Sequence, residues 1–157
     1  TRNLTSDPFV LDGRHQVNGV EMSASGSLSD RWTLIAAYAF MDSEIVASAN
    51  AAERDNDLAL TPEHTFSLWT TYQLPFDVTM GGGAQYMDAV FRNTTNTTAV
   101  PSYWLVNGLA SYEVNEHLTL RVNLQNLTDE QYVDRVGGAH YIPGPRRQVM
   151  FSTDVRF

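Results

Sequence analysis

The sequence predicts an all-β protein, an antiparallel transmembrane β-barrel segment of about seven strands. Three observations predict it. Polarity alternates with a period of two along nearly the whole chain. The alternating stretches run to about ten residues, close to the nine to eleven a tilted membrane-spanning strand needs and well above the five or six of soluble domains. Short turns alternate with long connections, so one end of the sheet is tight and the other is looped.

The first stretch, residues 16–28, sets Val20, Met22, Ala24, Gly26 and Leu28 against Glu21, Ser23, Ser25 and Ser27. The second, 32–42, places Trp32, Leu34, Ala36, Tyr38 and Phe40 on one face. The third, 64–74, alternates Phe66, Leu68, Thr70 and Tyr72 with Thr65, Ser67, Trp69 and Thr71. In the fourth, 78–88, Val78, Met80, Gly82, Ala84 and Tyr86 oppose Thr79, Gly81, Gly83 and Gln85. The fifth, 102–114, sets Trp104, Val106, Ala110 and Tyr112 against Asn107, Ser111 and Glu113. The sixth, 118–127, sets Leu118, Leu120, Val122 and Leu124 against Thr119, Arg121, Asn123 and Gln125. The seventh is 148–157.

Turn formers fill the short connections at 28–31, 74–77 and 114–117. Long connections cover 43–63, 89–101 and 128–147. Aromatic residues gather near strand ends (Trp32, Tyr38, Phe40, Tyr72, Tyr86, Trp104, Tyr112, Phe157), as in the interfacial girdles of membrane barrels. The alternative is a soluble β-sandwich or lipocalin-like barrel, which seldom needs this asymmetry of loops.

Composition excludes other classes. The formal net charge is −8 and every basic residue is arginine, so no basic stripe awaits nucleic acid. Cysteine is absent, which excludes disulfides and thiolate metal sites. Residues 1–11 lack the basic start and apolar run of a cleavable leader. The longest apolar stretch, 34–41, is far short of the roughly 20 residues of a membrane-spanning helix. Near-neutral hydropathy is what alternating barrel strands produce. Bacterial single-chain barrels have even strand counts. Seven strands therefore read as part of a larger barrel, unless a weak strand at 4–11 makes eight.

The final strand carries Val149, Phe151, Val155 and Phe157 on one face and ends in an aromatic residue. It resembles the terminal signature by which outer-membrane barrels are handed to the barrel assembly machinery. The other reading is an ordinary edge strand that happens to end in Phe157.

Five further stretches carry a wider likeness: Gly19-Val20-Glu21 before a tight turn and Trp32; Tyr38-Ala39-Phe40-Met41-Asp42; Thr61-Pro62-Glu63-His64-Thr65; Asn126-Leu127-Thr128-Asp129-Glu130-Gln131-Tyr132; and Tyr141-Ile142-Pro143-Gly144-Pro145-Arg146-Arg147. In order and spacing the chain resembles the C-terminal barrel of TonB-dependent outer-membrane receptors. Around residues 11–15 and 68–72 it is most similar to catecholate siderophore receptors. The resemblance implies a 22-stranded barrel and a plug domain that is not among these residues. It implies import of a ferric siderophore with energy supplied by TonB through that missing N-terminal region. Iron would travel inside the siderophore, so no cofactor and no protein metal ligand is expected. The expected location is the outer membrane of a Gram-negative bacterium, with the C-terminus periplasmic and lipid and lipopolysaccharide as neighbours.

A ferric catecholate is anionic and aromatic, and guanidinium groups and aromatic faces suit it. The candidate contacts are Arg54, Arg92 and Arg135, one in each long loop, with Tyr86, Phe91, Tyr103 and Tyr141 near loop bases. Each arginine has a second reading as a solvated loop charge or a contact to lipopolysaccharide phosphate. Asn126 and Asp129 can end a strand by bonding local backbone. Pro143 and Pro145 remove ladder donors and delay the last strand. The Gly81-Gly82-Gly83 run lacks the Lys-Ser/Thr of a phosphate loop and fits a need for lumen space or strand curvature. The sequons at Asn3, Asn93, Asn96 and Asn126 are expected to be chance matches. The four histidines share no ligand spacing, and Glu53, Asp55 and Asp57 read as a solvated acidic loop rather than a cation site. No nucleophile-base-acid set stands out, which leaves no enzyme reading. The open alternatives are a TonB-dependent receptor for another nutrient, such as a glycan or cobalamin, and an outer-membrane porin, structural or enzymatic barrel.

Overall fold

The computed structural model describes residues 13–137 and 140–157. The candidate strand at 4–11 lies outside them. In chain order the strands are β1 (Gly13–Ser29), β2 (Trp32–Ser48), β3 (His64–Leu74), β4 (Val78–Met87), β5 (Val90–Phe91), β6 (Ala99–Val100), β7 (Tyr103–Asn115), β8 (Leu118–Gln125), β9 (Val133–Gly137), β10 (His140–Pro143) and β11 (Gln148–Val155). One antiparallel seven-stranded sheet has the order β1-β2-β3-β4-β7-β8-β11, and β5-β6 and β9-β10 form two small hairpins in the long connections. All seven expected strands are present, each next to its neighbour in the expected order.

The register explains why alternation was so visible. Tyr38, Phe66, Tyr86 and Trp104 face one another across β2, β3, β4 and β7. Five residues along, Thr33, Thr71, Gly81, Leu109 and Asn123 form a row on the opposite face of β2, β3, β4, β7 and β8. One face is thus apolar along the strands apart from Thr70 and Thr153. It carries Met22, Leu34, Leu68, Val106, Val122 and Phe151, with aromatic rows towards both ends. At the looped end the rings of Tyr86 and Trp104 sit 4.9 Å apart. At the other end Trp32 is directly opposite Tyr72.

No second layer covers that face. Among the described residues only Ile45 and Val100 are buried hydrophobics, while Met22, Met80, Trp104 and Phe151 stand 59%, 52%, 49% and 77% exposed. A sandwich or lipocalin-like domain would bury such a face, since its core is its main source of stability. A wide bare apolar band bounded by aromatic residues suits lipid. No helix is long and apolar enough to cross a membrane among the described residues, which says nothing about crossing by strands.

The boundaries differ from expectation at the looped end. β1 starts at Gly13 and β2 runs to Ser48, so this hairpin stands above its neighbours. There the pairs His15–Ile45 and Gln16–Glu44 continue the ladder with no apolar alternation to announce it. β8 ends at Gln125, two residues before the expected Leu127, because Asn126 turns out of the strand at φ 50°. β11 ends at Val155, although Arg156 N–H still donates to His117 O at 2.9 Å.

The glycine run makes room. A Cβ at Gly83 would meet the Leu68 carbonyl oxygen and lie 2.6 Å from Trp69 Cε3; one at Gly81 would lie 3.2 Å from Trp69 Cζ2. The Trp69 indole therefore lies on the polar face against β4, over the space two missing side chains leave. Gly82 points to the other face and meets only Asn107 O at 3.7 Å.

Candidate functional site

The long connections all leave the same end of the sheet, and two of them are joined. Loop 49–63 begins with a 3-10 turn, Ala51–Glu53, capped by Asn50, whose side chain accepts from Ala52 N–H at 3.1 Å. Ser48 Oγ donates to one Glu53 carboxylate oxygen at 2.7 Å and Thr94 Oγ1 to the other at 2.9 Å. These bonds hold the Glu53 carboxyl below its usual range. Asn56 Nδ2 donates to Thr94 O at 2.9 Å. Asp57 N–H donates to Asn96 Oδ1 at 2.8 Å, and Asn96 Nδ2 returns a bond to Asp57 O at 3.1 Å. Leu60 N–H donates to Phe91 O at 2.8 Å. Ile45, wholly buried, and Val100 lie at the feet of these loops. Both Glu53 oxygens serve hydroxyl groups and Asp57 binds through its backbone, so these residues fasten one loop to another. Asn93 and Asn96, read as chance sequon matches, are structural: the Asn93 side chain bridges to Thr97 at 2.7 and 3.1 Å.

A second structure follows β8. Asn126 is 3% exposed, and all its side-chain polar atoms are used. Its Oδ1 accepts from Glu130 N–H at 2.8 Å, and its Nδ2 donates to Glu130 O at 2.9 Å and Pro145 O at 3.0 Å. Asp129 accepts Arg146 Nε at 2.9 Å, Arg146 Nη2 at 2.6 Å and Arg147 N–H at 3.0 Å. These donors hold the Asp129 carboxyl far below the usual carboxylate range. Tyr132 closes the assembly. Its carbonyl accepts Gly144 N–H at 2.9 Å, and its ring lies where a Gly144 side chain would be. The Asn126–Tyr132 and Tyr141–Arg147 stretches are thus two halves of one clasp that seats β11 on β8. Asn126 has the local backbone-bonding role expected of it, through Glu130, whereas the Asp129 carboxylate reaches across to Arg146 and Arg147 instead. The partners at Pro145 and Arg146 are 17 to 19 residues away, beyond what local turn chemistry reveals.

The expected ligand contacts separate into groups. Arg92 and Tyr141 come together from different loops, with the guanidinium carbon 5.6 Å from the ring centroid. The Tyr103 and Tyr132 rings lie 4.6 Å apart with their planes tilted by 38°; Tyr132 was not among the expected contacts. Arg54 Nε is held by Ser48 O at 2.9 Å, and Arg135 pairs with its neighbour Asp134 at 3.1 Å. Phe91 lines a cleft of about 290 Å³ with Asp42, Asp57, Glu63 and Asp88. Tyr86 lies on the apolar face beside Trp104, and its hydroxyl donates to Asp88 at 3.0 Å. Val149, Phe151 and Val155 are exposed on the apolar face, opposite Leu124, Val122 and Leu118. Phe157 lies just past the strand, fully exposed.

The family described as TonB dependent receptor-like, beta-barrel, matches residues 3–127. The chain belongs to the TonB-dependent receptor β-barrel family. It is 36% identical over 151 residues to a probable TonB-dependent receptor, BfrD, of Bordetella pertussis, covering 89% of this chain and 20% of that protein. It is 30% identical over 152 residues to the catecholate siderophore receptor Fiu of Escherichia coli K12, covering 92% and 20%. The crystal structure of the siderophore receptor PiuA from Acinetobacter baumannii superposes with a TM-score of 0.86 at 29% identity, over 91% of this chain and 22% of that one. The chain thus spans about a fifth of the length of the curated relatives it matches. The TonB-dependent receptors are an outer-membrane transport family, not an enzyme family, and the bare apolar band of the sheet is the surface such a barrel turns to lipid.

Proposed function

We propose that this chain is the C-terminal barrel part of an outer-membrane receptor that imports a ferric siderophore, of the catecholate class, with energy supplied by TonB. The observation that carries the reading is the Arg92–Tyr141 pair at the looped end, in a chain similar to receptors named for siderophores. A cation held on an aromatic face, with the tilted Tyr103–Tyr132 ring pair at the same end of the sheet, offers what an anionic aromatic chelate needs. Iron stays inside the chelate and takes no ligand from the protein. The short turns face the periplasm, as does the C-terminus, and the long loops face outward. The plug and the TonB-contacting segment belong to parts of the receptor outside these residues. Lipopolysaccharide and the barrel assembly machinery are the further partners, the latter through Val149, Phe151, Val155 and Phe157.

A second reading is a receptor for a different chelate. The ferrioxamine B receptor of Salmonella typhimurium is 29% identical over the full length of this chain. Growth on single ferric chelates as the sole iron source separates the two. Loss of the full-length receptor is expected to abolish growth on at least one ferric catecholate. Loss confined to ferrioxamine B or other chelates that are not catecholates selects the second reading, and unchanged growth on every chelate removes both.

A further inference from the structure

At the looped end of the sheet, where β3 begins and β4 ends, Glu63, His64 and Asp88 each offer one ligand atom in a single cluster. The three atoms lie within 4.8 Å of one another, and His64 Nε2 is 3.7 Å from Glu63 Oε1. The set combines one imidazole with two carboxylates, and two groups outside it orient its members. Tyr38 OH lies 2.9 Å from His64 Nδ1. When Nδ1–H donates to that phenol oxygen, Nε2 keeps its lone pair and faces Glu63. Tyr86 OH and the Ala89 N–H both donate to Asp88 Oδ1, at 3.0 and 2.8 Å. Among the described residues, Asp88 Oδ2 takes no hydrogen bond. Outer hydrogen bonds that fix a histidine tautomer and occupy one oxygen of a carboxylate are the arrangement metal ligands need.

We propose that Glu63, His64 and Asp88 form a site for a divalent metal of the zinc class, with a fourth position open to water. The ligand types select the class. Calcium and magnesium take oxygen ligands and avoid imidazole, whereas zinc accepts His nitrogen with Asp and Glu oxygen in a tetrahedral set. Ligand atoms on tetrahedral zinc stand roughly 3.4 Å apart, from bonds of about 2.1 Å. His64 Nε2 and Glu63 Oε1, 3.7 Å apart, are already close to that spacing; closing the widest separation from 4.8 Å takes about 1.4 Å, within reach of side-chain rotation at the exposed Glu63 and the half-buried Asp88. The surrounding charge favours a cation too: Asp42 and Asp57 line the same cleft as Glu63 and Asp88. Bound metal would tie the start of β3 to the end of β4, beneath the joined loops. The inference does not depend on which chelate the receptor imports.

The test is calorimetric titration of zinc chloride into the metal-stripped full-length receptor in detergent, in the presence of millimolar calcium. Wild-type protein is expected to bind one zinc ion that is lost, by at least tenfold in affinity, in both His64→Gln and Asp88→Asn. Tyr38→Phe keeps all three ligands and is expected to weaken binding by about tenfold or more, through the tautomer alone. Heat-shifted mobility on gels identifies which variants have folded barrels, and either ligand variant suffices. A His64→Gln or Asp88→Asn titration that superimposes on wild type overturns the proposal, as does displacement of the zinc by calcium.

Discussion

The Asp129 carboxylate holds the Arg146 guanidinium through both oxygens, at 2.9 and 2.6 Å, and takes the Arg147 N–H as a third donor at 3.0 Å. This is the join between the end of β8 and the start of β11. The folded-state pKa of Asp129 is depressed. Its contribution is therefore present above the unfolded value of about 3.9 and lost as pH falls towards the folded one. Stability should not change on this account between about pH 8 and 5 and should drop below about pH 4. Asp129→Asn should remove that drop, because the amide does not titrate in this range, and should lower stability at neutral pH, because one acceptor oxygen becomes an NH2 group facing the Arg146 donors. Urea unfolding in lipid or detergent across that range measures both.

Asn126 should be the most sensitive polar residue of the clasp. Asn126→Ala leaves Glu130 N–H and two carbonyls without partners in a site 3% exposed, a cost of about 2 kcal/mol or more. Asn126→Asp keeps the acceptor but sets a second oxygen against the carbonyls of Glu130 and Pro145, so it should be no better. Equilibrium unfolding of both variants checks this; wild-type stability in Asn126→Asp would contradict the hydrogen-bond assignment.

The glycines of β4 should differ by face. Gly83→Ala brings a methyl group onto the Leu68 carbonyl and the Trp69 ring and should cost about 1–3 kcal/mol by overpacking. Gly82→Ala meets ordinary contact distances only and should lie within about 0.5 kcal/mol of wild type. Equal effects in the unfolding measurement would mean that strand curvature, not Trp69, sets the requirement.

Truncation of Phe157 should lower the yield of folded barrel in the membrane and leave ligand affinity of the assembled fraction unchanged. Phe157 lies beyond β11 with its side chain fully exposed, so it contributes no packing among the described residues. Normal assembly with lost binding would contradict the reading of the last strand.

The membrane-facing sheet was legible because one face of every strand is apolar and the other is not. That pattern persists only where a strand crosses the bilayer. Above it, the β1–β2 extension, β5–β6 and β9–β10 carry no such alternation and were read as loops. The site was less legible for a related reason. Asn56 with Thr94, Arg92 with Tyr141, and His64 with Asp88 meet across loops and strands that are distant in sequence. Spacing along the chain held no trace of these meetings, and the histidines were set aside on spacing alone.

The most direct test of the account is uptake of radiolabelled iron as a ferric catecholate by cells carrying the full-length receptor, its deletion, or Arg92→Ala. The account predicts TonB-dependent uptake in wild type, none on deletion, and roughly tenfold weaker apparent affinity in Arg92→Ala, the loss of about 1.4 kcal/mol from one charged contact. Uptake that survives deletion, for every ferric catecholate tried, would contradict it.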